Sequence, residues 1–489
     1  MVAVLTAGDM TDAEFALGVC AQGILNRKGK KIYTDIDCYM DYLSEPYERV
    51  SLWRLIAEDA NEFIGAAVFD LNCNDVGVNM AATLSAAYDI LGVPRELIGK
   101  VNSAGIKTVC DLAEIRGTPA ERQRVVFDGV KDRLNKTALI HQVVKEGNFH
   151  LTLRDFGIKN GWACIYTDES EADRAFRRYV LGALDKNVPV YGWNDDEIAF
   201  IKDVSDFGDY AIPTDWSCNH SYFAAGGAIK QRRNRSAIAQ NKHYVALVVS
   251  DGDNVQWLER DFATTGTFGQ RCRSTANYKL NWTFAPSLVS LCPAAAERIY
   301  AGAKNDYFIS GVSGIGYANC LSYPRDMLAE FTAQTAEAMA RSDLDVVCLL
   351  DNIEFTKNAE FTVDRLSFYA EYGNIIGGIW ELDPDRYGSG RGKIFWANGK
   401  PFVSVKYTMW HPSGNPQCVT REWLDGIAKE VNSQPIAPQS ESGYSVVNVH
   451  PWTIDVDDLD YFVSKLGDNI ELVYADELIE LVKKNVRKK

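Results

Sequence analysis

Long apolar runs are missing from this sequence of 489 residues. The longest purely apolar runs are short, such as residues 245–249, and fall far below the roughly 20 residues that span a bilayer. Residues 1–15 contain an acid by Asp9 and lack a basic stretch followed by a sustained apolar stretch. We therefore expect no membrane partner, no export signal and a cytoplasmic location.

Basic residues are outnumbered in this chain, with 51 Lys and Arg against 66 Asp and Glu, for a formal net charge of −15. A surface of that sign repels phosphate backbones, so nucleic acid is not an expected partner. The composition, 46% hydrophobic and 24% charged, is typical of a globular protein. The length is about three times a ~150-residue domain, which predicts more than one domain.

Paired motifs for disulfides, metals and nucleotides are also missing. Eleven cysteines occur singly with no CxxC, which is typical of reduced, buried thiols in a cytosolic protein. The six histidines include no HxxxH or HExxH, so a helix-borne zinc site is disfavoured. We find no GxGxxG after a strand and no Walker loop in the first half. No cofactor is predicted, although a divalent cation bound by carboxylates stays open.

A basic stretch at residues 226–235 begins with two glycines and marks a change in composition. We place the domain boundary there, with an α/β region of more than one small subdomain at 1–235 and a second domain at 236–489. In the first region, helical patterns alternate with apolar runs, which predicts small α/β units. The apolar runs are 65–69, 163–166 and 188–192, and the helical patterns are 11–26, 79–92, 119–134 and 170–185.

The second region shows eight short buried-strand patterns, and most gaps between them have helical periodicity. These patterns lie at 243–250, 280–284, 305–310, 345–350, 374–380, 402–407, 444–450 and 470–474. That number and spacing, in about 250 residues, are typical of a (β/α)8 barrel of the TIM type. A seven-stranded barrel of the deacetylase type would have nearly the same sequence pattern. The predicted fold class is therefore α/β, with a barrel in the C-terminal domain.

Carboxylates follow several of these strands, and strand ends converge at one mouth of a barrel. Asp251 and Asp253 follow the first strand, Asp351 and Glu354 follow the fourth, and Glu381 follows the fifth. Glycosidic cleavage needs two carboxyl groups, one protonated and one ionised. We predict Asp253 and Glu381 as acid and base or nucleophile, with the other three positioning the sugar or replacing one of them. The structural alternatives are a turn or helix cap for the first pair and a rim salt bridge for Glu381, and Asp351 and Glu354 also have a purely structural alternative.

Indole and imidazole side chains also fall at strand ends, namely Trp380, Trp410, His411, His450 and Trp452. Indole faces cover the CH faces of pyranose rings, and imidazoles bond to hydroxyls, so these five are predicted to bind substrate. Each tryptophan taken alone is more often a core residue, and a strand-end histidine is often only a hydrogen-bonding partner.

Two further segments carry a resemblance to a known family. Gly314-Ile-Gly-Tyr317 is followed by Tyr323-Pro324, and residues 250–257 read Ser-Asp-Gly-Asp-Asn-Val-Gln-Trp. Together they resemble the signature of the GxGYxYP family, whose name associates it with glycoside hydrolysis. Residues 23–27, 31–33 and 215–219 resemble its leading domains. The resemblance implies a sugar-binding role for Gly316 and Tyr317. The motif departs from its pattern because residues 318–322 separate its two tyrosines.

These observations favour a glycoside hydrolase whose partner is an oligosaccharide or a small glycoside. A metal-dependent carbohydrate deacetylase is an alternative. Deacetylase barrels bind their metal with residues after the first strand, and the Asp-Gly-Asp at 251–253, together with His450 late in the chain, is similar to that arrangement. A carbohydrate-binding protein without catalysis is the third hypothesis, in which the acids only bond to hydroxyls.

Overall fold

The computed structural model describes residues 1–72, 75–144, 152–352 and 359–486. The chain divides into two compact units, Met1–Ala224 and Ala225–Lys489. The sequence boundary at 235 falls within the second unit. No helix in the described ranges combines the length and the apolar character needed to cross a membrane. The ten cysteines within these ranges are free.

The first unit contains three small parallel sheets, with strand orders β2-β1-β3, β5-β4-β6 and β10-β9-β7-β8. The strands are β1 Val2–Thr6, β2 Ile32–Asp35, β3 Tyr47–Val50, β4 Gly65–Phe69, β5 Ile90–Pro94, β6 Thr108–Asp111, β7 Leu139–His141, β8 Ala163–Ile165, β9 Pro189–Gly192 and β10 Tyr210–Ile212. The helices are α1 Asp12–Arg27, α2 Leu52–Glu58, α3 Gly77–Tyr88, α4 Ile98–Ser103, α5 Pro119–Val130, α6 Arg154–Asn160, α7 Glu171–Ala183 and α8 Glu197–Asp206. The predicted alternation of strands and helices is confirmed.

Local sequence accounts for the helix starts in this unit. Thr11 and Thr118 each accept the backbone N–H of a glutamate three residues on, and that glutamate accepts the threonine N–H in return. These capping boxes satisfy donors that a helix start leaves open. α5 also has proline at its first position, where the missing N–H costs nothing.

The second unit contains ten strands in the described residues. They are β11 His243–Val249, β12 Leu280–Phe284, β13 Asp306–Ser310, β14 Val346–Asn352, β15 Gly377–Asp383, β16 Ile394–Ala397, β17 Lys400–Ser404, β18 Tyr407–Met409, β19 Tyr444–Val449 and β20 Ile470–Leu472. All eight predicted strands are present. β11 is buried at every position, as expected for a parallel strand covered on both faces, which is why its sequence is a continuous apolar run.

Helices lie between most of these strands: α9 Val255–Glu259, α10 Thr267–Arg273, α11 Leu288–Leu291, α12 Pro293–Gly302, α13 Leu328–Arg341, α14 Ala359–Ala370, α15 Arg421–Asn432, α16 Val456–Ser464 and α17 Ala475–Asn485. The helical periodicity predicted for most gaps between the strands is confirmed by α12 to α17. The short helices α9 to α11 were not predicted, because so few residues show no clear periodicity.

The strands of the second unit pair into two sheets. One has the order β13-β12-β11-β19-β18, with β20 beside the start of β11, and the other has the order β14-β15-β17-β16. Every pair is parallel except β16 with β17. That hairpin turns at Asn398-Gly399, where both residues have positive φ, a turn signal that the sequence prediction did not use.

Two backbone contacts join the two sheets. Val312 bridges to Cys348 beyond the end of β13. On the other side, the Lys406 N–H donates to the Val446 carbonyl of β19, whereas the preceding Val405 N–H extends the pairing of β17 with β15 by donating to the Trp380 carbonyl, both at 3.0 Å. The fold is therefore α/β with parallel sheets, as predicted. The pairings of the described strands define two linked sheets, not a closed eight-stranded barrel.

The basic stretch near the unit boundary is held by acids of the second unit. Lys230 Nζ lies 2.9 Å from Asp343 Oδ1, and Arg233 Nη1 lies 2.8 Å from Asp345 Oδ2. Gln231 adds hydrogen bonds to the carbonyls of Phe308 and Asp343. These contacts explain why residues 225–235 belong to the second unit.

Candidate active site

The turn after β11 carries two of the predicted carboxylates. Asp251 has a φ of +67°, in the left-handed region. Gly252 packs against the neighbouring strand so closely that a Cβ there would lie 1.8 Å from the Thr283 carbonyl oxygen. The N-cap residue of α9 is Asn254, not an aspartate. The turn therefore requires glycine at 252, and neither Asp251 nor Asp253 is the N-cap residue of α9.

Both carboxylate oxygens of Asp251 have protein partners. Ser250 Oγ donates to Oδ2 at 2.5 Å, and the indole N–H of Trp452 donates to Oδ1 at 2.9 Å. His450 Nε2 lies 3.7 Å from Oδ2. Two side chains from beyond the end of β19 thus meet the aspartate that follows β11, because those two strands are neighbours.

His450 is buried beneath an indole ring. Its imidazole stacks on Trp410, with ring centroids 3.9 Å apart and planes 4° from parallel. Burial lowers the pKa of His450, and the charge of Asp251 opposes that change. The Nδ1 atom is buried without a hydrogen-bond partner in the described part of the chain. A neutral imidazole with one unused ring nitrogen therefore lies beside Asp251.

Glu381 lies inside the second unit with only 1% of its surface exposed. Asn448 Nδ2 donates to its Oε1 at 3.0 Å. Burial raises the pKa of Glu381 well above its ordinary value, and the negative charges of Asp251 and Asp253 raise it further. The structure thus brings Glu381 into the electrostatic range of both aspartates, and its burial and their charges favour the protonated form of its carboxyl group.

Strand alternation separates Glu381 from two other predicted residues. Side chains point alternately to the two faces of a strand, so Trp380 faces away from Glu381. β14 and β15 pair in register, with Leu350 opposite Glu381 and Asp351 opposite Leu382. Asp351 therefore shares the face of Trp380, not that of Glu381.

Asp351 acts as an acceptor for backbone and indole N–H groups on that opposite face. The Leu321 N–H donates to Oδ1 and the Trp380 indole N–H donates to Oδ2, both at 3.1 Å. Burial raises the pKa of Asp351 to about 7. The structure thus places Asp351 as a support for the loop after β13, apart from Glu381. Glu354 lies outside the described residues.

The glycine and tyrosine motif forms a tightly packed loop after β13. Gly314 has a φ of +114°, and a Cβ there would lie 2.2 Å from Thr335 Cγ2. The Gly316 carbonyl accepts the Ser313 N–H at 2.8 Å, and Tyr317 is only 8% exposed. Gly314 therefore serves the loop conformation, Gly316 contributes a backbone hydrogen bond, and the Tyr317 ring lies mostly within the protein.

The aromatic side chains at the strand ends have different exposures. Trp380 is 1% exposed and lies in the core, whereas Trp452 is 45% exposed and packs on Trp257 with centroids 4.7 Å apart. Trp410 is half-buried against His450. Trp452 thus offers the most accessible ring beside Asp251.

The described contacts of His411 are with Ser413 and Trp423, which are not part of the group around Asp251 and Glu381. Its Nδ1 lies 2.8 Å from Ser413 Oγ, and its ring lies 5.2 Å from that of Trp423.

Sequence reasoning missed three polar residues near Glu381. Asn448 is fully buried and holds Glu381 with its amide nitrogen, while its Oδ1 lacks a partner among the described residues. Thr408 pairs with Asn448 in register, and its Oγ1 also lacks a partner there. The Cys348 thiol has a pKa raised first by burial and then by the charge of Glu381. An asparagine within the apolar run of β19 was the available signal.

Across the described ranges, no three side chains of His, Cys, Asp or Glu are grouped as ligands of one metal ion.

The fold and this group of side chains define an α/β protein with carboxylates at the ends of parallel strands. The family profile described as "GxGYxYP putative glycoside hydrolase C-terminal domain" matches residues 241–483. The profile described as "GxGYxYP third domain" matches residues 138–225. The chain therefore belongs to the GxGYxYP family, as its motifs predicted.

Two solved structures are similar to this chain. One is described as "a putative hydrolase from Bacteroides thetaiotaomicron VPI-5482" and is 24% identical, with a TM-score of 0.83 over 100% of this chain and 95% of that one. That likeness shows a shared fold. The other, a "putative polysaccharide deacetylase from Mycobacterium smegmatis", is 11% identical over 53% of this chain and 94% of that one, and its TM-score of 0.33 supports no argument. No curated protein sequence matches the chain.

Proposed function

We propose that this protein hydrolyses a glycosidic bond of an oligosaccharide or small glycoside, with Glu381 as the general acid. The observation that carries the proposal is the state of Glu381. Its carboxyl group is buried and held by Asn448, and burial and the charges of Asp251 and Asp253 raise its pKa well above its ordinary value. A protonated acid close to ionised carboxylates is the pairing that glycosidic cleavage requires.

Asp253 is the proposed nucleophile or base. Asp251 already accepts two hydrogen bonds and lies beside His450, so its part is to position neighbouring groups. In the reaction, Glu381 gives its proton to the leaving oxygen, and water supplies the hydroxyl group of the new sugar end. In the inverting form of the reaction, Asp253 removes a proton from that water as it attacks. In the retaining form, Asp253 bonds to the anomeric carbon as the leaving oxygen departs, and water then breaks that bond while Glu381 takes a proton from the water.

A closed ring of seven parallel strands is part of this proposal. The ring would run from β11 through β12, β13, β14, β15 and the β17–β18 segment to β19. The Val312–Cys348 bridge and the Lys406 hydrogen bond to Val446 support it, because they link the two sheets on both sides. In such a ring the carboxyl ends of the strands face one opening, where a sugar would meet both carboxyl groups.

Trp452 is the proposed platform for a sugar ring. Its ring is accessible and its N–H is fixed on Asp251. An apolar ring face beside a carboxylate suits a pyranose, which has both CH faces and hydroxyl groups.

The test compares the parent with Glu381→Gln and Asp253→Asn on nitrophenyl glycosides and oligosaccharides. Glu422→Gln, on an exposed position of α15, is the matched control. We expect each site variant to lose about 10²–10⁴-fold in kcat and the control to keep its activity, because general acid–base catalysis contributes that much. For the parent, kcat/KM should fall on the alkaline side as Glu381 ionises.

Two results would contradict the proposal. An active parent with fully active site variants would remove Glu381 and Asp253 from the mechanism. Calorimetric binding of glycans without turnover on the same panel would favour a carbohydrate-binding protein without catalysis.

A further inference from the structure

An asparagine lies near the end of β19, a strand that is buried at every position. The Asn448 side chain is fully buried, and its Oδ1 has no hydrogen-bond partner among the described residues. Burial of an amide group with an unused acceptor lowers stability. An asparagine in this apolar strand therefore needs an explanation other than packing.

The contact with Glu381 supplies that explanation. Asn448 Nδ2 donates to Glu381 Oε1 at 3.0 Å. β19 and β15 belong to different sheets of the second unit, so this bond joins two side chains whose strands are not paired. The amide thus holds one chosen oxygen of the Glu381 carboxyl group from across the sheets.

The hydrogen bond makes the two oxygens of Glu381 unequal. In a protonated carboxyl group, one oxygen is a carbonyl acceptor and the other carries the proton as a donor. An N–H group at Oε1 favours the carbonyl form of that oxygen, because a carbonyl oxygen is a better acceptor than a hydroxyl oxygen. The proton is then left on Oε2. Once the proton has gone, the same N–H faces a carboxylate, and hydrogen bonds to ionised acceptors are the stronger kind.

Several ionisable groups face Glu381 besides the amide. Burial raises the pKa of Glu381, and the charges of Asp251, Asp253 and Asp383 raise it further, whereas the bond from Asn448 lowers it. The Cys348 thiol on β14 also faces Glu381, and burial raises the pKa of that thiol well above its ordinary value. Asn448 therefore opposes the effect of burial and of three negative charges on the acid strength of Glu381.

We propose that Asn448 is a positioning residue that fixes the transferable proton of Glu381 on Oε2 and stabilises the carboxylate left behind when that proton is transferred. In the transfer, the proton moves from Oε2 to the glycosidic oxygen, the electron pair of the breaking C–O bond goes to that oxygen, and the negative charge stays on Glu381 beside the amide. The catalytic part of this inference rests on the proposed function, whereas the place of the proton can be measured without turnover.

Infrared difference spectroscopy at pH 6 locates the proton in the full chain without substrate. The spectrum of the parent minus that of Glu381→Gln isolates the C=O stretching band of the protonated Glu381 carboxyl group. A carbonyl that accepts a hydrogen bond stretches at a lower frequency than a free one. The band should therefore move to higher wavenumber in Asn448→Leu, measured against the double variant that also has Glu381→Gln.

Thr408→Val is the matched control for this shift. Thr408 pairs with Asn448 in register, and its Oγ1 is buried without a partner in the described part of the chain. The substitution removes a nearby buried hydroxyl group at almost constant volume, and the Glu381 band should stay in place.

Leaving-group dependence tests the catalytic part. An alkoxide leaves poorly and needs the proton of Glu381 more than a nitrophenolate does. We expect Asn448→Leu to lower kcat about tenfold on an alkyl glycoside and at most about threefold on the nitrophenyl glycoside of the same sugar, with KM little changed. A variant with a merely structural defect would lose equally on both substrates, and Thr408→Val should keep its activity on both.

Circular dichroism checks the fold of each variant, and Asn448→Ser, with a shorter polar side chain, replaces Asn448→Leu if the latter does not fold. Three results would overturn the proposal: no Glu381 carboxyl band at pH 6, a band that stays in place in the Asn448 variant, and an equal loss of kcat on the two glycosides. An inactive parent whose band moves as expected would overturn the proposed function alone and leave the proton assigned to Oε2.

Discussion

Replacing Glu381 with glutamine should make the protein more stable than the parent, and the advantage should grow with pH. The pKa of Glu381 in the folded protein is raised well above its ordinary value of 4.5 by burial and by the charges of Asp251 and Asp253. Between the unfolded and folded pKa values, the folded state binds a proton that the unfolded state has lost. The parent therefore loses stability as pH rises through that interval.

The size of the effect follows from the linkage relation. One bound proton changes the free energy of unfolding by about 1.4 kcal/mol per pH unit. Glutamine has no titrating group, and its Oε1 can still accept the Asn448 N–H that Glu381 accepts now. The difference in stability between variant and parent should therefore rise by up to about 1.4 kcal/mol for each pH unit above the unfolded pKa.

Urea unfolding of both proteins at pH 5, 6, 7 and 8 measures this difference. Glu422→Gln, on an exposed position, serves as the control and should show no such trend. A stability difference that stays flat from pH 5 to pH 8, or that falls with pH, would refute the reasoning that Glu381 is held protonated. Activity plays no part in this assay, so the result does not depend on the proposed function.

Three further predictions concern neighbouring residues. Gly252→Ala should lower the free energy of unfolding by at least about 2 kcal/mol in urea, since its Cβ would lie 1.8 Å from the Thr283 carbonyl oxygen; near-parental stability would contradict this. Asp351→Asn should lower the free energy of unfolding by about 1–3 kcal/mol in the same assay. Both carboxylate oxygens accept N–H groups, and the new amide nitrogen would face one of these donors. An equally stable variant would show that Asp351 does not support the loop. Trp452→Phe keeps an aromatic face but loses the hydrogen bond to Asp251. On a glycoside that the parent hydrolyses, kcat/KM should therefore fall roughly tenfold, the equivalent of about 1.4 kcal/mol, with little change in KM. A change confined to KM would count against the positioning role of Asp251.

Much of the second unit could be predicted from the sequence because its strands are parallel and buried on both faces. Such strands are short continuous apolar runs, and polar residues that end them stand out. Asp251, Asp253 and Glu381 were chosen as candidates in that way. The hairpin of β16 and β17 was missed although its Asn398-Gly399 turn was visible, and α9 to α11 were too short to show a period.

Which face each strand-end residue occupies could not be predicted. A shift of one residue in strand register reverses every side chain, and that register depends on the neighbouring strands. Asp351 and Glu381 looked equivalent in sequence, yet in-register pairing of β14 with β15 puts them on opposite faces. Trp380 and Trp452 likewise both follow apolar runs, but one lies in the core and the other is exposed.

The amino-acid sequence by itself determined the α/β class, the strand positions and the family, since these depend on local patterns of apolar and polar residues. Only the tertiary structure decided that Asn448 holds Glu381 and that Trp452 and His450 meet Asp251. Those contacts join residues far apart in the chain, and burial, which sets the pKa of Glu381, exists only once the strands have packed.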